Sequence, residues 1–123
     1  MTVRGGITVF ASDLAASRRF YAEALRMVLS EDEDGFWARR DGLELRVEGG
    51  ARPRLRSRTF FEEAGVMVRI ETDEFDALVG GLTARGIPLL GGGVKEYDDG
   101  RFTGFADPDG NLFELIETPG TES

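Results

Sequence analysis

The sequence predicts an α+β fold built from two tandem βαβββ modules, and three observations predict it. A β-rich run, an amphipathic helical stretch and further extended segments follow one another twice along 123 residues. Each copy closes on a hairpin around a strong turn, Asp41-Gly42 in the first and Asp107-Pro108-Asp109-Gly110 in the second. The length suits one compact domain, and 41% hydrophobic with 31% charged residues is a globular composition.

The first module spans 5–50. Ile7-Thr8-Val9-Phe10-Ala11 is a short strand signal, and Asp13 is placed to cap a helix. Leu14, Ser17, Tyr21 and Leu25 then recur at helical spacing, with Phe20 and Ala24 beside that stripe. Met27-Val28-Leu29 resumes extended structure and runs into the acidic turn Glu31-Asp32-Glu33-Asp34. Phe36 to Arg39 and Leu43 to Val47 flank Asp41-Gly42 as the two arms of a hairpin.

A linker over 51–63 carries Arg52, Arg54, Arg56 and Arg58, followed by Phe60-Phe61. Four arginines in a loop read either as a solvated stretch balancing acidic surface or as a grip on an anionic ligand or partner chain. The second module, 64–118, opens on Val66-Met67-Val68-Arg69-Ile70. Thr72 or Asp73 caps a helix whose apolar stripe is Phe75, Leu78, Val79 and Leu82. Gly86 sits at the C-cap position and Pro88 blocks continuation. A stretch from Leu89 to Tyr97 is loosened by Gly91-Gly92-Gly93, and Arg101–Ala106 with Leu112–Glu117 form the last hairpin. Residues 119–123 are a short tail.

Composition removes several function classes. The chain has no histidine and no cysteine. Disulfides, iron–sulfur centres, thiol nucleophiles and imidazole bases are therefore absent, and a tight transition-metal centre would have to be made of carboxylates. A net charge of −8 and a pI near 4.6 oppose nucleic-acid binding, which needs clustered Lys and Arg. Such a field keeps a protein soluble and attracts cationic small molecules. No apolar run approaches the roughly 20 residues that span a bilayer, and Met1 to Gly6 shows no signal-peptide pattern. A cytoplasmic location is expected.

The segments Val9 to Leu14, through Phe20-Tyr21 to Leu25, and Phe105-Ala106-Asp107-Pro108-Asp109-Gly110-Asn111-Leu112-Phe113-Glu114-Leu115 carry a specific resemblance. They resemble the vicinal oxygen chelate superfamily, the group of glyoxalases, bleomycin-resistance proteins and extradiol dioxygenases. The match covers nearly the whole chain, which then reads as a single domain of that type over 1–123. One departure is Arg26, which stands where the family usually has glycine after the leucine. The resemblance implies curved mixed sheets around a shared cleft. In metal-bearing members each module supplies one ligand from its first strand and one from its last. The last-strand positions correspond to Glu44 and Glu114, still carboxylates, and the first-strand positions fall on Gly6 and Gly65. The resemblance thus implies a cleft without a resident metal or other cofactor.

Strand alternation extends those anchors to a lining. With Gly6 inward, Thr8 and Phe10 follow; Gly65 brings Met67, Arg69 and Glu71; Glu44 brings Arg46; Glu114 brings Leu112 and Ile116. The turns place Trp37 and Phe105 inward too. The candidate ligand-binding residues are Phe10, Trp37, Glu44, Arg46, Met67, Arg69, Phe105 and Glu114. Arg46 and Arg69 either contact a ligand or neutralise Glu44 and Glu114. The function expected is a metal-independent protein sequestering an antibiotic-like or aromatic amphipathic ligand, cationic or aromatic in character, as in the bleomycin-resistance branch. By the same analogy the chain forms a homodimer, without nucleic-acid or membrane partners. The alternative is a cofactor-free lyase or isomerase that moves a proton with Glu44 or Glu114 while an arginine stabilises an enolate-like oxygen. A metal-dependent glyoxalase or dioxygenase is the third reading.

Overall fold

The computed structural model describes residues 6–50 and 66–118, and the chain divides into two compact units, Met1–Arg54 and Leu55–Ser123. The expected linker arginines with Phe60 and Phe61, and Gly65, lie outside the described residues. Unit one runs β1 (Ile7–Phe10), α1 (Leu14–Arg19), β2 (Val28–Glu31), β3 (Gly35–Arg40) and β4 (Leu43–Glu48). Unit two runs β5 (Val68–Thr72), α2 (Phe75–Ala84), β6 (Leu90–Tyr97), β7 (Gly100–Ala106) and β8 (Leu112–Glu117). Each unit holds one mixed four-stranded sheet, in the orders β1-β4-β3-β2 and β5-β8-β7-β6. The first strand of each is parallel to its last, and the other pairs are antiparallel. The repeat expected from sequence is therefore a repeat of topology.

Asp13 caps α1 by accepting a hydrogen bond from the Ala16 N–H at 3.1 Å, which satisfies one of the free donors of the first turn. The helical stripe does not end at Arg19. From Phe20 to Ala24 the helix widens to i→i+5 bonding, with Leu25 N–H donating to the Phe20 carbonyl at 3.2 Å. That widening places Phe20, Tyr21, Ala24 and Leu25 together in the core, where Tyr21 meets the Phe36 ring edge-on. Ala38, Leu45 and Val47 complete that core on the same face of the sheet. Ile7, opposite Leu45 on that face, remains 40% exposed on the edge strand.

Arg26, the departure from the family pattern, adopts φ = +54° directly after the widened turn. A side chain there costs roughly 1–2 kcal/mol that glycine avoids. Glycine's greater unfolded-state entropy offsets part of the gain. Arg26→Gly is expected to stabilise the protein by about 0.5–1 kcal/mol, read as a rise in melting temperature.

In unit two, Phe75, Leu78 and Leu82 of α2 are buried, as their spacing predicts. Thr72 serves the helix start indirectly: its hydroxyl accepts from the Glu74 N–H at 2.9 Å, one residue before the helix. At the other end Gly86 has φ = +71°, and Ile87 N–H closes onto the Leu82 carbonyl at 3.0 Å. Arg101 ties this helix to the sheet. Its guanidinium bonds both Asp76 oxygens at 2.9 and 3.1 Å, reaches Glu117 at 2.7 Å and lies over the Phe75 ring. Asp76 and Glu117 are both held below the usual carboxylate range by hydrogen bonds from Arg101.

Candidate functional site

Residues directly opposed in adjacent strands share a face of the sheet. In unit one Thr8 opposes Arg46, Phe10 opposes Glu48, Trp37 opposes Arg46 and Arg39 opposes Glu44. These side chains lie on the face away from Leu45 and Val47, as alternation requires. Phe10 is 52% exposed there, Trp37 is half-buried and Glu44 is exposed.

The charges on this face are already paired, and not as the sequence suggested. Arg46, nearly buried, donates two hydrogen bonds to Asp32 at 2.7 and 2.9 Å and has Glu48 at 3.6 Å. Glu44 instead accepts from the Arg39 Nε–H. Both guanidinium carbons stand over the single tryptophan, at 5.1 and 5.4 Å from the Trp37 ring centroid. Trp37 is thus flanked by its own arginines. Asp32, outside the expected site, organises this arrangement. Its Oδ1 also accepts from the Asp34 and Gly35 N–H groups at 3.0 and 3.1 Å, so the turn holds it ready for Arg46.

The hydrogen bond from Arg46, aided by those backbone donors, lowers the Asp32 pKa from 3.8 to about 2. Above the unfolded value Asp32 is ionised in both states and the clamp contributes fully. Between that value and about 2 the unfolded chain takes up a proton that the folded chain refuses, so stability falls with pH and the contribution ends below about 2. A carbon-13 titration should show the Asp32 carboxyl midpoint near 2. In Arg46→Met it should return toward 3.8.

In unit two Arg69 opposes Glu114, Glu71 opposes Ile116, Gly104 opposes Glu114 and Phe102 opposes Ile116. Leu112 shares this face through its pairing with Ala106, and half-buried Met67 stands just before β5. Arg69 reaches Glu71 at 2.9 Å, not Glu114. Among the described residues the side chain of half-buried Glu114 makes no hydrogen bond or ion pair.

Phe105 requires a correction. It opposes Phe113, on the face away from Glu114, where the two rings stack at 5.1 Å with 6° between their planes, and it is fully buried. The turn decides this. Asp107 accepts from the Asp109 and Asn111 N–H groups at 3.0 and 2.8 Å and from the Asn111 side chain at 2.8 Å. This sets Ala106 opposite Leu112, and two-residue alternation then assigns Gly104 and Phe102, not Phe105, to the Glu114 face. Phe102, which touches Tyr97 at 5.5 Å between centroids, is the aromatic residue the expected site missed. Counting pairs back from the Asp107–Asn111 turn would have found it.

The donors among the described residues do not fit a resident divalent metal within either module. Gly6 has no side chain, and a Cβ built there meets nothing within 4 Å. Glu44 is bonded to Arg39, and hard cations want about six oxygens. Among the described residues no three histidine, cysteine or acidic side chains group together as a metal site.

A family model described as the Glyoxalase/Bleomycin resistance protein/Dioxygenase superfamily matches residues 5–115. No curated protein sequence matches significantly. Among solved structures, the fosfomycin resistance protein FosX from Listeria monocytogenes is 20% identical with a TM-score of 0.72, covering 98% of this chain and 96% of that one. The same protein complexed with Mn(II) and sulfate is 18% identical with a TM-score of 0.75, covering 98% and 93%. A glyoxylase/bleomycin resistance protein/dioxygenase domain from Frankia sp. EAN1pec is 17% identical with a TM-score of 0.70, covering 99% and 96%. At these identities the likeness is one of fold.

Proposed function

The chain belongs to the Glyoxalase/Bleomycin resistance protein/Dioxygenase superfamily, and from that membership we propose that it is a metal-independent small-molecule binding protein that sequesters an antibiotic-like or aromatic amphipathic ligand. The observation that carries this reading is the fate of the two carboxylates. Glu44 is taken by Arg39, while Glu114 stands on a sheet face with Leu112, Ile116 and Phe102 and no partner among the described residues. Neither arrangement suits a resident metal, whereas a carboxylate beside apolar side chains suits an organic ligand with a polar handle. FosX has been solved with Mn(II); in this chain, which has no histidine, such an ion would rest on oxygen donors alone.

The ligand surfaces proposed lie on one sheet face of each module: Thr8 and Phe10 in module one, and Met67, Arg69, Phe102 and Glu114 in module two. Trp37, Glu44 and Arg46 border the module-one face as a pre-paired wall. A homodimer in the cytoplasm completes the reading by family analogy; among the described residues no helix is long and apolar enough to cross a membrane. Titration calorimetry against bleomycin and a panel of aromatic natural products, on protein purified without chelators and checked by elemental analysis, tests the proposal. Micromolar or tighter binding by metal-free protein supports it. Binding that requires stoichiometric metal, or none tighter than high micromolar across the panel, overturns it.

A cofactor-free lyase or isomerase is the second reading, and Glu114, whose side chain has no partner among the described residues, is favoured over Glu44 as its base. There Glu114→Gln abolishes turnover while leaving ligand affinity within a few-fold; an unchanged rate rejects the assignment.

A further inference from the structure

β2 forms one edge of the sheet in unit one, and the bonding of its hairpin fixes which backbone groups face outward. Asp32 N–H donates to the Gly35 carbonyl at 2.9 Å, which makes these two a hydrogen-bonded pair. Alternation then bonds Ser30 with Trp37 and Val28 with Arg39, and turns the N–H and C=O of Leu29 and Glu31 away from β3. The next ladder agrees. Gly49 N–H donates to the Asp34 carbonyl at 2.9 Å, which assigns the bonds of Phe36 and Ala38 to β4 and leaves those of Trp37 and Arg39 for β2. Among the described residues no backbone group meets the outward groups of Leu29 and Glu31.

The edges of the other sheet carry devices that discourage pairing. β6 breaks register between Leu90 and Lys95 and exposes Lys95 and Glu96, and β5 presents Arg69 and Glu71. β2 instead keeps unbroken register with β3 and leaves Val28 75% exposed. Charge is also sorted along it. Its start lies beside Arg26 and Arg40, the latter bonded to the Leu25 carbonyl, and its end runs into Glu31-Asp32-Glu33-Asp34.

We propose that a second copy of this chain docks on β2, adding its own β2 antiparallel across a two-fold axis at Leu29 and joining two four-stranded sheets into one. This rests on the homodimer reading above and names its surface. In that register the outward N–H and C=O of Leu29 bond those of its counterpart in both directions. Glu31 N–H reaches the counterpart's Met27 carbonyl, whereas Met27 N–H is already bonded to the Tyr21 carbonyl at 2.9 Å. The two Leu29 side chains meet on the face of Ala38, and Val28 lies beside the other copy's Ser30. Arg26 falls opposite Asp32 in the acidic turn. A parallel arrangement sets Arg26 against Arg26 and acidic turn against acidic turn. With a net charge of −8 on each copy, association depends on this local sorting.

The chain has no cysteine, so one introduced thiol reports the register. In the proposed pairing the two Leu29 Cα atoms stand about 5.5 Å apart, within reach of a disulfide, and the two Ser30 Cα atoms stand beyond the roughly 7 Å limit. Mild oxidation of the whole chain is expected to link Leu29→Cys into a covalent dimer and to leave Ser30→Cys unlinked. By sedimentation equilibrium, Leu29→Pro and Arg26→Glu should each weaken the wild-type dimer about tenfold or more. Leu29→Pro removes only an outward donor, and its melting temperature shows whether it folds; if it does not, Arg26→Glu and the two thiol variants decide the matter. A dimer that withstands Arg26→Glu, Leu29→Cys that stays unlinked, or equal linking of Ser30→Cys overturns this surface while leaving a dimer built elsewhere. A wild-type chain that is monomeric at every concentration overturns both the surface and the homodimer, and leaves the ligand-binding reading to its own titration.

Discussion

Replacing Gly35 with alanine is expected to destabilise the protein by about 3 kcal/mol, the upper end for a forced overlap. A Cβ at this position would stand 2.0 Å from the Val47 carbonyl oxygen and 3.0 Å from the Glu48 Cα. Both are backbone atoms of β4, so no side chain can rotate away. Relief has to come from parting β3 and β4, and the damage would extend to the charged face. The Gly35 N–H donates to Asp32, and the Gly35 carbonyl accepts from the Asp32 N–H at 2.9 Å. Moving this residue therefore tilts the turn that presents Asp32 to Arg46. Urea denaturation followed by the single tryptophan should show the loss of stability and altered native emission together, since Arg46 lies over Trp37. Gly80→Ala supplies a control of opposite sign. That position lies inside α2 with nothing within 4 Å of an added Cβ, and alanine there should stabilise by roughly 0.5–1 kcal/mol. A small effect at Gly35 would mean that β3 and β4 are not held at this spacing.

The second large effect belongs to Phe113. It is fully buried and stacked on Phe105, so truncation removes a large apolar surface and leaves a cavity the sheet cannot close. Phe113→Ala should cost about 3–5 kcal/mol. In combination with Phe105→Ala the losses should fall short of additive by about 1 kcal/mol, because the ring–ring contact is lost only once. Glu114→Gln, one residue along, should leave stability nearly unchanged. Adjacent residues with opposite consequences are what alternation produces when Phe113 is fully buried against Phe105 and Glu114, on the other face, is only half-buried. Comparable destabilisation by both would refute that division.

Much of this was legible in the chain itself. The Asp13 cap, the Phe75-Leu78-Leu82 stripe, the Gly86 stop and both hairpin turns are local devices, and each appears where its residues predicted. Alternation also assigned Thr8, Phe10, Glu44 and Arg46 to one face, because period two needs no information beyond one strand and one anchor. Phe105 was misplaced because the anchor came from the turn's general position and not from the pair it sets. A shift of one residue exchanges the faces. The widened turn after Arg19 was also hidden, since i→i+4 and i→i+5 spacings both bring Phe20, Tyr21 and Leu25 inward.

By itself the sequence determined the repeat of modules, the absence of imidazole and thiolate, and the identities of Glu44, Glu114 and Gly6. Those are properties of residue identity and local period. Only the tertiary structure decided which charges meet. Arg46 turned to Asp32 in the β2–β3 turn, Arg39 to Glu44 and Arg69 to Glu71. Long flexible side chains choose among several acids within reach, and the choice depends on strand register and on a turn that aims one carboxylate in advance. That choice left Glu114 unpaired among the described residues and made it the centre of the proposed site.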